Sequence, residues 1–389
     1  MSDTIFDQLA ADLQQGKTEA ALARLAEELR ASRRYHDLFD TRLMQARLRL
    51  GLPIVDGKKL DELQEPLRSQ VEEAYVAACR EVGDLLVAEG KLREAWMYLR
   101  PADARDTMKR ALETVAVDEE NVDEVVDVAL GEGVHPRRGF ELLLNHFGTC
   151  NAITTFESQM VRFPLDEQQA AAAMLVRNLH DELLSAVKAE VQHQEGAPPS
   201  ETSPSETTRA ALVEPRDWLF LNNNYHADTT HLAAVVRFAR ICDDPDALRL
   251  ALDLTEYGRR LNAQFQFDGD EPFVEIYPRH ALYYRALLGE KVDEALAYFR
   301  ERAENVAVAE QGTQAIEVFI SLLSRLTRHA EALAASQRLL APGTRRLGIA
   351  PSLMELSRAA GDYRGLLENS RTAGDLVGYV NGLLAAAKK

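Results

Sequence analysis

Apolar positions recur along most of this chain with the period of a helix. In Met174–Val191, the residues Leu175, Leu179, Leu183 and Val187 return every four positions. That spacing lines one face of a helix and predicts a docked amphipathic element. The stretch TTHLAAVVRFARICD, from Thr229, predicts another. In the acidic run Val117–Gly133, Val122, Val125, Val126 and Ala129 mark an apolar face, with the acids on a solvated one. Strand signals are nearly absent. PFVEIYP, Pro272–Pro278, is short and bounded by proline at both ends, which predicts an extended loop with some strand character.

Composition points the same way. Of the 389 residues, 46% are hydrophobic, 28% charged and only 7% aromatic. These are values of a globular chain, and the abundant Ala, Leu, Glu and Arg are strong helix formers, so the expected class is all-α. One segment departs from this texture. QHQEGAPPSETSPSETTRAALVEPR, Gln192–Arg216, is rich in Pro, Ser, Thr and Glu and offers no core-forming face, so disorder is expected over 192–216. It separates an N-terminal helical region, 1–191, from a C-terminal one, 217–389. Both sides share one helical texture, which favours an insertion within a single array over a boundary between independent domains.

The helices repeat. Gly90 ends a helix, and five residues on comes Ala95, followed by Trp96, Tyr98 and Leu99. Gly289 is followed by Val292, Glu294 and Ala295, then Leu296, Tyr298 and Phe299. Gly16 precedes Ala21, Thr327 precedes Ala332, and Gly361 precedes Tyr363. The turn positions 289, 327 and 361 are 38 and 34 residues apart, the length of one helical hairpin. Physically, a left-handed residue stops a helix, and a small alanine lets the next helix lie close against the first. Aromatic side chains then fill the groove toward a neighbour.

GKLREAWMYL, and GEKVDEALAYF with one extra residue, resemble the turn pattern of the tetratricopeptide-repeat family. The resemblance covers mainly 10–30, 72–100 and 280–389. It implies a right-handed superhelical array of antiparallel helical hairpins, a TPR-like α-solenoid, interrupted here by the 192–216 loop. The clearest hairpins fall at about 280–389. It further implies a scaffold whose concave surface binds a partner protein or peptide.

Charge and cysteine usage bound the setting. The net charge is −17, which disfavours nucleic acid and anionic membranes as partners. Cys79, Cys150 and Cys242 lie far apart without a C-x-x-C, as suits a reducing compartment. The N-terminal stretch carries acids where a secretory signal carries bases, and no apolar run is long enough to span a bilayer. The expectation is a cytoplasmic protein without a cofactor.

Nucleotide-binding, zinc-protease and serine-hydrolase motifs are missing, and two clusters remain as candidates. His146 and Cys150 are four apart, so an unbroken helix would place them on one face, where a histidine can activate a thiol and Asn151 can orient the ring. The competing reading makes Gly148 and Thr149 a corner between two helices. The second cluster is NNNYHADTTH, Asn222–His231. Asn224, Tyr225, His226 and His231 are candidates for a polar ligand or peptide. His226, Asp228 and His231 are candidates for a metal, with His280 as a distant fourth ligand. The competing reading makes Asp228 the N-cap of the next helix. The favoured function is an interaction scaffold; the alternative is an enzyme or ligand-binding protein that uses one of these clusters.

Overall fold

A computed structural model describes residues 3–55, 60–196, 209–341 and 344–387. Among them, every regular element is helical, so the chain is all-α. The one antiparallel bridge, Asp268 to Glu275, lies in and just before the proline-bounded PFVEIYP stretch. The second half of that stretch is not extended: a helix begins at Ile276 and contains Pro278 in its first turn. Proline is tolerated there because first-turn N–H groups have no partner within the helix. No helix among the described residues is long and apolar enough to cross a membrane.

The chain folds as two compact units, Met1–Gly148 and Thr149–Lys389. The first runs through α1 (Asp3–Gln14), α2 (Thr18–Ala31), α3 (Tyr35–Arg49), α4 (Leu67–Ala88), α5 (Leu92–Leu99), α6 (Arg105–Thr114) and α7 (Val122–Val126). A π-helical turn at Asp127–Gly131 and the start of α8 (Pro136–Ser158) complete it. From α1 to α6 each helix packs against the next. Their facing stripes form one core that includes Leu38, Val82, Leu86, Ala95, Leu99 and Met108.

The second unit contains α9 (Leu165–Glu195), α10 (Arg209–Val213), α11 (Thr229–Phe238), α12 (Pro245–Gly258), α13 (Ile276–Leu287) and α14 (Val292–Asn305). The short α15 (Val308–Gln311) leads to α16 (Gln314–Arg325), α17 (His329–Leu339), α18 (Leu353–Ala360), α19 (Arg364–Ala373) and α20 (Leu376–Ala387). The long α9 packs on α10, α11 and α12. From α13 onward the helices pack in chain order, with α15 bypassed.

One turn closes many of these helices. At Gly90 the backbone takes φ 76°, its N–H bonds to Val87 O, and the next N–H, of Lys91, bonds to Leu86 O. These paired bonds satisfy carbonyls that a helix end leaves open. The same pair recurs at Gly16, Gly289 and Gly361, and at Arg33 and Thr327, where non-glycine residues take φ 57° and 60°. After Gly289 a second left-handed residue, Lys291 at φ 49°, absorbs the extra residue of that turn. The alanines that follow are buried: Ala21 is 2% exposed, and Ala95, Ala295 and Ala332 are each 0% exposed.

The segment 192–216 is more ordered at its flanks than composition suggests. Its middle, 197–208, lies outside the described residues. Gln192–Glu195 continue α9, and α10 follows with Arg209, Leu212 and Val213 buried. The two sides are tied together. Asp253 on α12 accepts from Arg209 Nε at 2.5 Å and is bonded to His180 Nε2 of α9 at 2.8 Å. Burial pushes the Asp253 carboxyl up, but these hydrogen bonds outweigh it and hold the group below its ordinary value. A composition rule misses Arg209 because its anchor lies 44 residues away in sequence. The stretch between α17 and α18 is pinned in a comparable way. The fully buried Glu317 accepts from Thr313 Oγ1 at 2.6 Å and from the N–H groups of Leu347 and Ile349 at 2.7 and 2.9 Å.

Close approach between helices sets a testable limit. A Cβ added at Gly258, the last residue of α12, would clash with the ring of Tyr277, itself 1% exposed. Gly258→Ala is therefore expected to destabilise the chain by about 1–3 kcal/mol through overpacking. Denaturant titration checks this, and an unchanged midpoint would contradict the close packing.

Candidate functional site

The polar run Asn222–His231 resolves into a turn followed by a helix cap. Asn222 and Asn223 take φ 55° and 60°. Asparagine tolerates this left-handed region because its side chain is short and polar. Asn224 and Tyr225 are exposed, and Tyr225 meets Phe265 edge-on with ring centroids 5.2 Å apart. His226 turns inward: its backbone N–H donates to the Tyr257 hydroxyl at 2.8 Å, and its Nδ1 lies 3.1 Å from the same oxygen. Burial lowers the His226 pKa, against an opposing pull from Glu190. Its Nε2 is enclosed without a hydrogen-bond partner among the described residues.

Asp228 caps α11. Its Oδ1 accepts from Thr230 N–H at 2.8 Å, from His231 N–H at 3.1 Å and from Thr230 Oγ1 at 2.5 Å. The Thr230 hydroxyl is the main cause that holds this carboxyl below its ordinary range. Asn224, Tyr225, His226 and Asp228 share a shallow depression of about 530 Å³ with Ala186, Ala189, Ala227 and Glu190. His231 does not line it. No group of three or more His, Cys, Asp or Glu side chains suited to a metal occurs among the described residues. The ligand set His226, Asp228 and His231 is therefore not assembled: Asp228 holds the helix start, and His231 lies in the first turn beyond it.

The pair His146 and Cys150 does not share a helix face. Gly148 leaves helical geometry at φ 80° and ψ 175°, between the two residues. His146, Cys150 and Asn151 are all exposed. Thr149 is buried, and its hydroxyl donates to Glu182 at 2.8 Å and accepts from Asn178 at 2.9 Å. The corner reading of Gly148 and Thr149 is the one realised.

His280 acquires a different setting from the one expected of it. It sits on α13 at 1% exposure, stacked on Phe273 with ring centroids 4.0 Å apart. Its Nδ1 is 2.7 Å from Ile276 O, so that nitrogen carries the proton and Nε2 presents a lone pair. Nε2 has no partner. Burial pushes His280 down to about 3, partly offset by the bond to Ile276. The residue lines a cavity of about 280 Å³ with Arg237, Arg240, Asp268, Asp270 and Gln314.

Sequence reading passed over Arg240, Phe273 and Gln314. The one available signal was the pair Arg237 and Arg240 inside the otherwise apolar stretch AAVVRFARIC. Nothing in the sequence shows that Gln314 comes to the same cavity.

The His280 shift has a signed consequence. A histidine is ordinarily near 6.5, and this one is near 3 when folded. Between those values the unfolded chain holds a proton that the folded chain lacks. Its contribution to stability is thus complete above about pH 6.5 and is lost as pH falls toward 3. His280→Gln should flatten the fall in unfolding free energy between about pH 6.5 and 5, by up to about 1.4 kcal/mol per pH unit. Urea titrations across that range check it; parallel slopes for parent and variant would contradict a buried neutral imidazole. No protein-family model matches the chain, and no curated protein matches it.

Proposed function

We propose that the chain is a helical-hairpin repeat protein of the tetratricopeptide kind, a right-handed superhelical α-solenoid whose concave surface binds a partner protein or peptide. The observation that carries this reading is the recurrence of one turn, at Gly16, Arg33, Gly90, Gly289, Thr327 and Gly361. At Gly16, Gly90, Gly289 and Thr327 a buried alanine follows five or six residues later. A hairpin of this sort cannot bury its apolar face alone, so stacking is required, and stacked hairpins present an extended surface for a partner. The catalytic alternative loses its geometric footing, since Gly148 separates His146 from Cys150 and the Asp228 carboxylate is committed to a cap. The net charge of −17 favours a partner segment carrying basic residues.

Selection of peptides from a randomised display library on the purified chain tests the reading. Enriched peptides should share a basic sequence pattern, bind saturably, and weaken as salt is raised. In hydrogen exchange they should protect a contiguous set of helices within α13–α20. Failure to enrich any pattern, or protection scattered without contiguity, would overturn the reading.

A further inference from the structure

The cavity around His280 holds charge that the fold does not use. Arg240 follows α11 in a short 3-10 turn and is half-buried. Its Nε is closed off from solvent without a hydrogen-bond partner, and no carboxylate pairs with it among the described residues. Its evident contact is the Phe273 ring, 5.3 Å from the guanidinium carbon. Elsewhere in this unit, Arg279 and Arg302 also have a buried Nε without a partner, but each pairs with a carboxylate through its other nitrogens, Glu275 and Glu271 respectively, and the buried Arg209 bonds to Asp253. A partly buried cation without a counter-charge is costly unless something else supplies one. Arg237, at the same cavity, reaches Glu157 only at 3.5 Å.

The rest of the lining has the opposite character. Asp268 and Asp270 are exposed on the loop before Phe273, and neither forms an ion pair with Arg237 or Arg240 among the described residues. His280 Nε2 is an acceptor without a donor among the described residues. Gln314 spends its Nε2 on Glu271 O at 2.9 Å. The lining therefore carries two cations, two anions and a neutral acceptor, in about 280 Å³. That space lies just under the usual range for sites of drug-sized molecules, so the occupant is smaller than those. The balance of charge disfavours a polyanion such as a nucleotide.

We propose that this cavity binds a small zwitterion of the amino-acid class, its carboxylate held by Arg240 with Arg237 and its ammonium held by Asp268 and Asp270. His280 Nε2 is placed to accept a further N–H. A guanidinium fork matches a carboxylate bidentately, which gives Arg240 a role that lysine would not fill.

Calorimetry and thermal shift on the full chain test this, with the common L-amino acids as probes. At least one should bind saturably and raise the melting temperature, as any ligand specific to the folded state does. The methyl ester of that amino acid lacks the carboxylate, and its N-acetyl derivative lacks the ammonium; each should bind about tenfold more weakly or worse. Arg240→Met should lose affinity to the same degree while its own melting temperature does not fall, because the variant removes an unpaired charge. Four results would overturn the proposal: no amino acid binds; the ester or the N-acetyl derivative binds as well as the parent; inorganic phosphate binds as tightly; or Arg240→Met keeps its affinity. The ligand derivatives decide the matter on the native protein even if the variant fails to fold.

Discussion

The order of the helices is set where one helix stops and the next begins. A left-handed residue returns two N–H groups to the helix just ended, as at Gly90 and Lys91, and the chain reverses within two residues. So short a reversal forces the two helices against each other at their joined ends. Ala95 and Ala332, five residues past such turns, are fully buried. Once the pair is closed, its remaining apolar stripe faces outward and must be covered by the next helix. The order of packing from α13 to α20 then follows from chain order, because each uncovered stripe is met by the next helix to form.

Much of this was legible in the sequence, because turn glycine and alanine are separated by a short local spacing. The burial of Ala21, Ala95, Ala295 and Ala332 could be read from five- and six-residue intervals alone. Other features were hidden for identifiable reasons. Arg33 takes a left-handed conformation that residue type does not announce. Asn222 and Asn223, which precede the ligand candidate Asn224, supply turn geometry that their residue type only partly announces. The cap at Asp228 was legible because capping is local, with partners two and three residues on. The cavity at His280 was not, since Arg240, Phe273 and Gln314 meet only through tertiary packing. The ordered flank at Arg209 was lost for the same reason.

Polar groups inside this fold divide into those that hold structure and those left over. Glu317 is fully enclosed, yet it accepts from a hydroxyl and two backbone N–H groups and so anchors a stretch with no helix of its own. Asp253 does the same across the Pro/Ser-rich segment. Both satisfy the rule that an enclosed charge needs partners. Arg240 departs from that rule, and the neutral His280 Nε2 lies in the same cavity without a donor among the described residues. Departures of this kind cost stability, and proteins tolerate them where they serve a ligand. The contrast between Glu317 and Arg240 is therefore more informative than the burial of either one.

The central claim, that stability passes from helix to neighbouring helix through small residues at the turns, is tested most directly at Ala295. It lies on α14, fully buried, and α14 packs on α13 and α16. Hydrogen exchange followed by mass spectrometry on Ala295→Arg reads protection helix by helix. The account predicts lost protection in α13, α14 and α16, with the unit Met1–Gly148 unchanged. Equal loss over both units, or no loss around α14, would contradict it.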